Sequence, residues 1–184
     1  MKVGVFLHGT AIMHATAAGV GRDERVQQVR RRDPSVREFT SYIPTPGTAV
    51  KLAAWQQQGA SLIYLSSHRR PEDLRADEAV IRRHGFPEGP VHGRAEAEDY
   101  GALVERLGLD ALVEDDCESI GGTAQTCAAQ LTVAGRQSPR CIVLPEFTGL
   151  AALPDDPAAL LTPGEAATSK DADGAAQPQD EKAP

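Results

Sequence analysis

A chain of 184 residues, 41 % hydrophobic and 24 % charged, has room for one domain with a full core and not for two. Its formal net charge of −7 argues against a broad nucleic-acid-binding face, and no window approaches the ~20 apolar residues that span a bilayer. Cys117, Cys127 and Cys141 form no Cys-x-x-Cys pair. That argues against a zinc knuckle or a disulfide framework and, with no signal-peptide pattern at the N-terminus, leads us to expect a cytoplasmic protein.

The first element is an apolar run, Val3 to Leu7, which ends in His8-Gly9-Thr10 and reads as a buried strand. Residues 11–43 are too long for an ordinary crossover, so they form an insertion directly over the end of that strand. Within it, five arginines fall between Arg22 and Arg32 at helical spacing. They read as a solvated helix face or as a clamp for an anionic ligand. Thr48 to Gly59 follows as a helix with Val50, Leu52, Ala53 and Trp55 on its faces and Gly59 as its stop. Ser61 to Leu65 is the next strand. Pro71 to His84 is a second helix: Pro71 suits a first turn, Glu72 and Asp73 favour the positive end of the helix dipole, and Arg82, Arg83 and His84 favour the negative end. Tyr100 to Leu107 is a third helix, Ala111 to Val113 a short buried strand and Cys141 to Leu144 another. Strands alternating with helices specify an α/β fold, a Rossmann-like parallel sheet flanked by helices, with ligands beyond the carboxyl ends of the strands. From Thr162 to Pro184 the chain has almost no bulky apolar residue. This acidic tail cannot offset its ordering entropy and is expected to be disordered, which leaves residues 1–161 as the folded domain.

Three strand ends carry the polar groups, and on this topology they converge. His8, Gly9 and Thr10 close the first. Ser66, Ser67, His68 and Arg69 close the second, and Glu114, Asp115 and Asp116 close the third, with Glu118 and Ser119 just beyond. Adjacent carboxylates repel, and a divalent cation is the usual relief, so Asp115 and Asp116 point to Mg²⁺, which prefers hard oxygen ligands. The same run also reads as a solvated loop leading into a helix cap at Ser119. The chain has no P-loop, because no Gly-Lys-Ser/Thr follows the first strand.

In order and spacing these strand ends resemble the motifs of the haloacid-dehalogenase-like (HAD) superfamily. "VGVFLHGT" matches the first motif in its strand and in Gly9 and Thr10, but Phe6 stands where the family has its nucleophilic Asp, and His8 where it has its general acid/base Asp. "LIYLSS" matches the second, with Ser66, or Ser67 if the loop is shifted by one, as the phosphate-binding hydroxyl. "LVEDDCESI" matches the fourth, with Asp115 as the metal ligand and Asp116 as a second acid. The third motif, a basic residue that holds the phosphoryl group, falls to Arg94 or Arg69. The resemblance covers roughly residues 1 to 150. It implies a HAD-like sheet, a cap made of residues 11–43, bound Mg²⁺ and a small phosphorylated ligand.

In that family a carboxylate attacks phosphorus and a neighbouring acid protonates the leaving oxygen. Phe6 cannot attack, so two functions are expected from this sequence. One is a phosphatase or phosphotransferase acting on a nucleotide or another small phosphomonoester, with His8 as the catalyst and His14 or His68 as its partner. The other is a catalytically degenerate protein that binds a phosphorylated ligand or a protein partner without turnover.

Overall fold

The computed structural model describes residues 1–134 and 139–162, so the expectation of a disordered tail falls, from residue 163 on, outside the described residues. In chain order the elements are β1 (Lys2–Phe6), β2 (Ile12–Met13), α1 (Arg22–Arg30), β3 (Ile43–Pro44), α2 (Thr48–Gln57), β4 (Ser61–Leu65), α3 (Pro71–Arg83), β5 (Val91–His92), α4 (Tyr100–Leu107), β6 (Ala111–Asp115), α5 (Cys127–Ala134) and β7 (Arg140–Leu144). Five of the strands form one parallel sheet in the order β5-β4-β1-β6-β7. The α/β architecture expected from the alternation of apolar runs and helical stretches is the one observed.

Alternation along β1 decides which helix covers which face. Val3, Val5 and the following Leu7 point to one side, where they join Leu62 and Tyr64 of β4, Leu52 and Trp55 of α2, and Val80 and Ile81 of α3. Phe6 points to the other side, against a smaller cluster of Leu103 and Val104 from α4, Leu112 from β6 and Leu131 from α5. The register runs Phe6↔Leu65 and Val5↔Val113, so residues 7–8, 66–67 and 115–116 leave the sheet side by side at its carboxyl edge. Strand β6 is two residues longer than its apolar run suggests. Glu114 and Asp115 are held in the ladder by pairing with Val143 and Leu144 of β7, and the period of two sends them to opposite faces.

Helix boundaries follow local chemistry. Pro71 opens α3 with Glu72 and Asp73 in its first turn, while the Asp99 carboxylate accepts the Ala102 N–H at 2.7 Å to cap α4, which Gly108 ends in a left-handed conformation. Helix α5 has a local cap in Thr126, whose hydroxyl accepts the Ala129 amide at 3.2 Å. Its first amides, those of Cys127 and Ala128, donate at 2.7 and 2.8 Å to the Glu114 carboxylate, so a strand residue far upstream completes the cap. The segment after β7 folds back on α2: Trp55 Nε1 donates to the Pro154 carbonyl at 2.9 Å and Lys51 Nζ to the Leu153 carbonyl at 2.7 Å.

Residues 11–43 stand over the carboxyl edge. The β2–β3 ribbon, Ile12↔Pro44 and Met13↔Ile43, closes the base of this segment, and Met13, Ala17, Val26 and Phe147 give it a small core of its own. Its arginines bond within the protein: Arg25 to the Ala17 and Phe147 carbonyls, Arg22 to the Glu146 carbonyl and the Glu118 carboxylate, and Arg30 to the Glu118 carbonyl. Among the described residues no helix is long and apolar enough to cross a membrane.

Candidate functional site

The ends of β1, β4 and β6 and the underside of residues 11–43 enclose a cavity of about 350 Å³. Its walls are largely rings and branched chains: Phe6 and Tyr100 from one side, Val29, Val36, Phe39 and Tyr42 from the overlying segment. Its polar surface comes from His8, Ser67 and His68 on one flank and Asp115 and Glu146 on the other.

The first flank is organised by a residue from α3. Asp77 is fully buried and accepts from both histidines, His8 Nε2 to Oδ1 at 3.1 Å and His68 Nδ1 to Oδ2 at 3.0 Å, and from Ser66 Oγ at 2.5 Å. Burial opposes its ionisation, but the hydrogen bonds from His68, His8 and Ser66 and the nearby imidazole charge outweigh burial and hold its carboxyl well below the usual carboxylate range. The second nitrogen of His8, Nδ1, meets Ser67 Oγ at 2.9 Å. The His8 ring is also held edge-on by Tyr42 at 5.6 Å and lies 4.4 Å from the His68 ring.

On the other flank, one ligand atom each from Asp115, Asp116 and Glu146 lies within 4.8 Å of the others. Asp115 accepts from Thr10 Oγ1 at 2.6 Å and from the Cys117 amide at 3.1 Å. Asp116 accepts from the Glu118 and Glu146 amides, and Glu146 from the amide and hydroxyl of Ser119. Arg22 is the adjacent cation, 3.4 Å from Asp116 and 2.7 Å from Glu118. Burial, which exceeds the help from Ser119, and the charges of Asp115 and Asp116 push the Glu146 carboxyl up to about 7. Burial and Asp116 raise Asp115 as well. Three crowded carboxylates form an all-oxygen donor set, which suits a hard divalent cation such as Mg²⁺.

Gly9 joins the two flanks. Its φ is +84°, and a Cβ there would sit 2.8 Å from Asp115 Oδ1. Gly9→Ala is therefore expected to lose at least ~1–2 kcal/mol of stability from the left-handed backbone alone, read as a lower urea midpoint. A midpoint equal to that of the wild type would show that the turn is not held in this conformation.

The sequence candidates fall into place unevenly. His8, Gly9, Ser67 and Asp115 line the cavity, and Thr10 supports Asp115 from below. Ser66 is fully buried and bonded to Asp77, whereas Ser67, one residue on, is exposed to the cavity. The Arg94 guanidinium lies 3.8 Å over the Tyr100 ring, and Arg69 donates to the Glu96 carbonyl. Neither lines the cavity. Of the two suggested partners of His8, His68 shares its carboxylate, whereas His14 pairs with Gln28 at 2.8 Å. Asp77 and Glu146 were not legible as site residues, and Arg22, read as part of a solvated helix face or an anion clamp, bonds to Asp116, Glu118 and the Glu146 carbonyl. Asp77 resembles any acid of a charged helix, and Glu146 stands alone after β7.

Neither a family model nor a curated protein sequence matches the chain. Among solved structures, the class C acid phosphatase from Bacillus anthracis matches with a TM-score of 0.50 at 14 % identity, over 80 % of this chain and 67 % of that one. The same enzyme with tungstate bound gives 0.50 and 14 % over 80 % and 68 %. The D,D-heptose 1.7-bisphosphate phosphatase from B. bronchiseptica, complexed with magnesium and phosphate, gives 0.41 and 14 % over 80 % and 94 %. At such identities the likeness is one of architecture, and with the sheet order and the strand-end cavity it gives the conclusion that this chain has the HAD-like fold.

Proposed function

We propose that the protein is a Mg²⁺-dependent hydrolase of small phosphomonoesters, a nucleotide among the candidates, that works without an aspartyl-phosphate. The crowding of Asp115, Asp116 and Glu146 beside the cavity carries this reading, because these groups gain most from a bound divalent cation. Asp115 and Glu146 would hold Mg²⁺ from within the cavity and Asp116 from its edge. When bound, the cation would neutralise phosphoryl charge that the cavity lining, which contains no Lys or Arg among the described residues, leaves unmatched. His8 is oriented by Asp77 and takes the proton of an attacking water. Ser67 and the Gly9-Thr10 turn position the ester, and the aromatic wall receives its organic part. We also place the protein in the cytoplasm, where cysteine thiols stay reduced.

Isothermal titration should show Mg²⁺ binding in the wild type, weakened at least about tenfold by Asp115→Asn and by Glu146→Gln. Equal affinity in all three proteins would remove the cation site. A second reading, binding of a phosphorylated ligand without turnover, is favoured by Phe6, which packs edge-on against Tyr100 at 5.0 Å where the resemblance expects an acid. A phosphomonoester panel read for turnover and for thermal shift separates the two. Turnover lost in His8→Ala supports hydrolysis, and a thermal shift without turnover supports binding alone.

A further inference from the structure

The hydrogen bonds around His8 form a line from the cavity to the buried core. Ser67 Oγ is 2.9 Å from His8 Nδ1, and His8 Nε2 is 3.1 Å from Asp77 Oδ1. The three groups come from three elements: the end of β4, the end of β1 and the middle of α3. Exposure falls along the line. Ser67 is exposed, His8 is partly covered and Asp77 is fully buried. We propose that Ser67, His8 and Asp77 form a nucleophilic relay that transfers acyl groups from uncharged carboxylic esters to water, with Ser67 as the nucleophile and no metal required.

The proton positions follow from the acceptors. An ionised Asp77 can only accept, so His8 Nε2 carries its hydrogen, and in a neutral ring Nδ1 is then left to accept the Ser67 hydroxyl hydrogen. Both oxygens of Asp77 are engaged, the second by Ser66 and His68, and this fixes the carboxylate that orients His8. The two imidazole nitrogens have exchanged the partners they take in the familiar serine-protease arrangement, but the relay needs only one nitrogen that accepts and one that is held. The step balances as follows. Ser67 Oγ attacks the ester carbonyl carbon while its proton passes to His8 Nδ1. The bond to the alkoxy group breaks, and the leaving alcohol takes that proton. Water then attacks acyl-Ser67, its proton passes to the same nitrogen and returns to Ser67 Oγ as the carboxylic acid departs.

The cavity selects the ester. Phe6, Phe39, Tyr42 and Tyr100 offer an apolar wall, while the acids Glu114, Asp115 and Glu146 in the same lining offer no positive charge to an anion that arrives without a cation. An ester with an apolar acyl group and no charge matches both. This activity differs from the phosphate reading in its nucleophile, its substrate charge and its independence of metal, so the two stand or fall separately.

The test is covalent labelling by an alkyl fluorophosphonate in excess EDTA, with the adduct mapped by mass spectrometry and p-nitrophenyl butyrate hydrolysis measured in parallel. The expected result is one adduct, on Ser67, with no adduct there and no hydrolysis in Ser67→Ala, and a rate lower by about 10²-fold or more in His8→Ala. Because Asp77 supports the fold, the relay is checked without touching it. In Ser67→Cys the new thiol should be alkylated by iodoacetamide at least about tenfold faster than in Ser67→Cys with His8→Ala. Adducts scattered over other serines, or a Ser67 labelling rate unchanged in His8→Ala, would overturn the proposal. Labelling of Ser67 in EDTA supports it whatever the phosphomonoester panel returns.

Discussion

Asp77→Ala should lower the unfolding free energy by about 3–5 kcal/mol, the usual cost of removing one partner from a buried ionic network. The substitution strips the acceptor from Ser66, His8 and His68 at once, and the fully buried Ser66 hydroxyl has no water to turn to. Against a typical total of about 5–15 kcal/mol this is a large fraction. Urea unfolding should show a fallen midpoint with the slope preserved. Acid unfolding gives the charge-specific check. The Asp77 carboxyl is held below its ordinary value of 3.8, so the folded state binds fewer protons than the unfolded one in that range. Its stabilisation is complete above the unfolded value and drains away as pH falls below it towards the folded one. Asp77→Asn should therefore show a shallower loss of stability below about pH 4 than the wild type. Parallel acid limbs would mean that Asp77 is not ionised in the folded protein.

Rebuilding the missing acids should have the largest effect on chemistry. Phe6→Asp with His8→Asp is expected to move Mg²⁺-dependent hydrolysis of an aryl phosphate from attack by water to attack by the new carboxylate at position 6, with the carboxyl at position 8 taking over from the imidazole the acid/base work that is typically worth about 10²–10⁴-fold. Both positions line the cavity that holds Asp115, so the new carboxylates would enter the same space. The same double substitution removes His8 from Ser67 and should abolish serine-dependent labelling in the same sample. Beryllium fluoride, a mimic of phosphate on a carboxylate, should be retained by the double variant and not by the wild type. A folded double variant that binds Mg²⁺ and stays inert would show that the cavity has been reshaped beyond its two acids.

The parts of the fold that could be read in advance are those whose signal is local. Val3 to Leu7 and Ser61 to Leu65 are dominated by bulky apolar residues, and Pro71 and Gly59 mark helix ends by their own backbone preferences. What stayed hidden depends on partners remote in sequence. Cys127–Ala134 begins on a carboxylate from β6, and two-residue strands such as Val91–His92 exist only because β4 offers an open edge. The site divides in the same way. His8, Ser67 and Asp115 sit at strand ends, where topology alone brings them together. Asp77 lies inside a helix whose other acids face water, and its importance comes from being the one turned towards β1 and β4, which helical periodicity in a charge-rich segment does not single out.

Arg22, Arg25 and Arg30 of α1 tie the roof of the cavity to its floor. Arg25 grips two neutral carbonyls, whereas Arg22 grips the loop after β7 and the acids after β6. Salt screens attractions between exposed ions over a Debye length of about 8 Å but does little to a hydrogen bond with a neutral carbonyl, so the roof should remain latched across a wide range of ionic strength. Lifting it means pulling Arg22 away from Asp116 and Glu118 and loosening the backbone at Glu146. Opening the roof therefore withdraws the arginine that faces the carboxylate cluster, so a bound cation and Arg22 would share the work of neutralising Asp116.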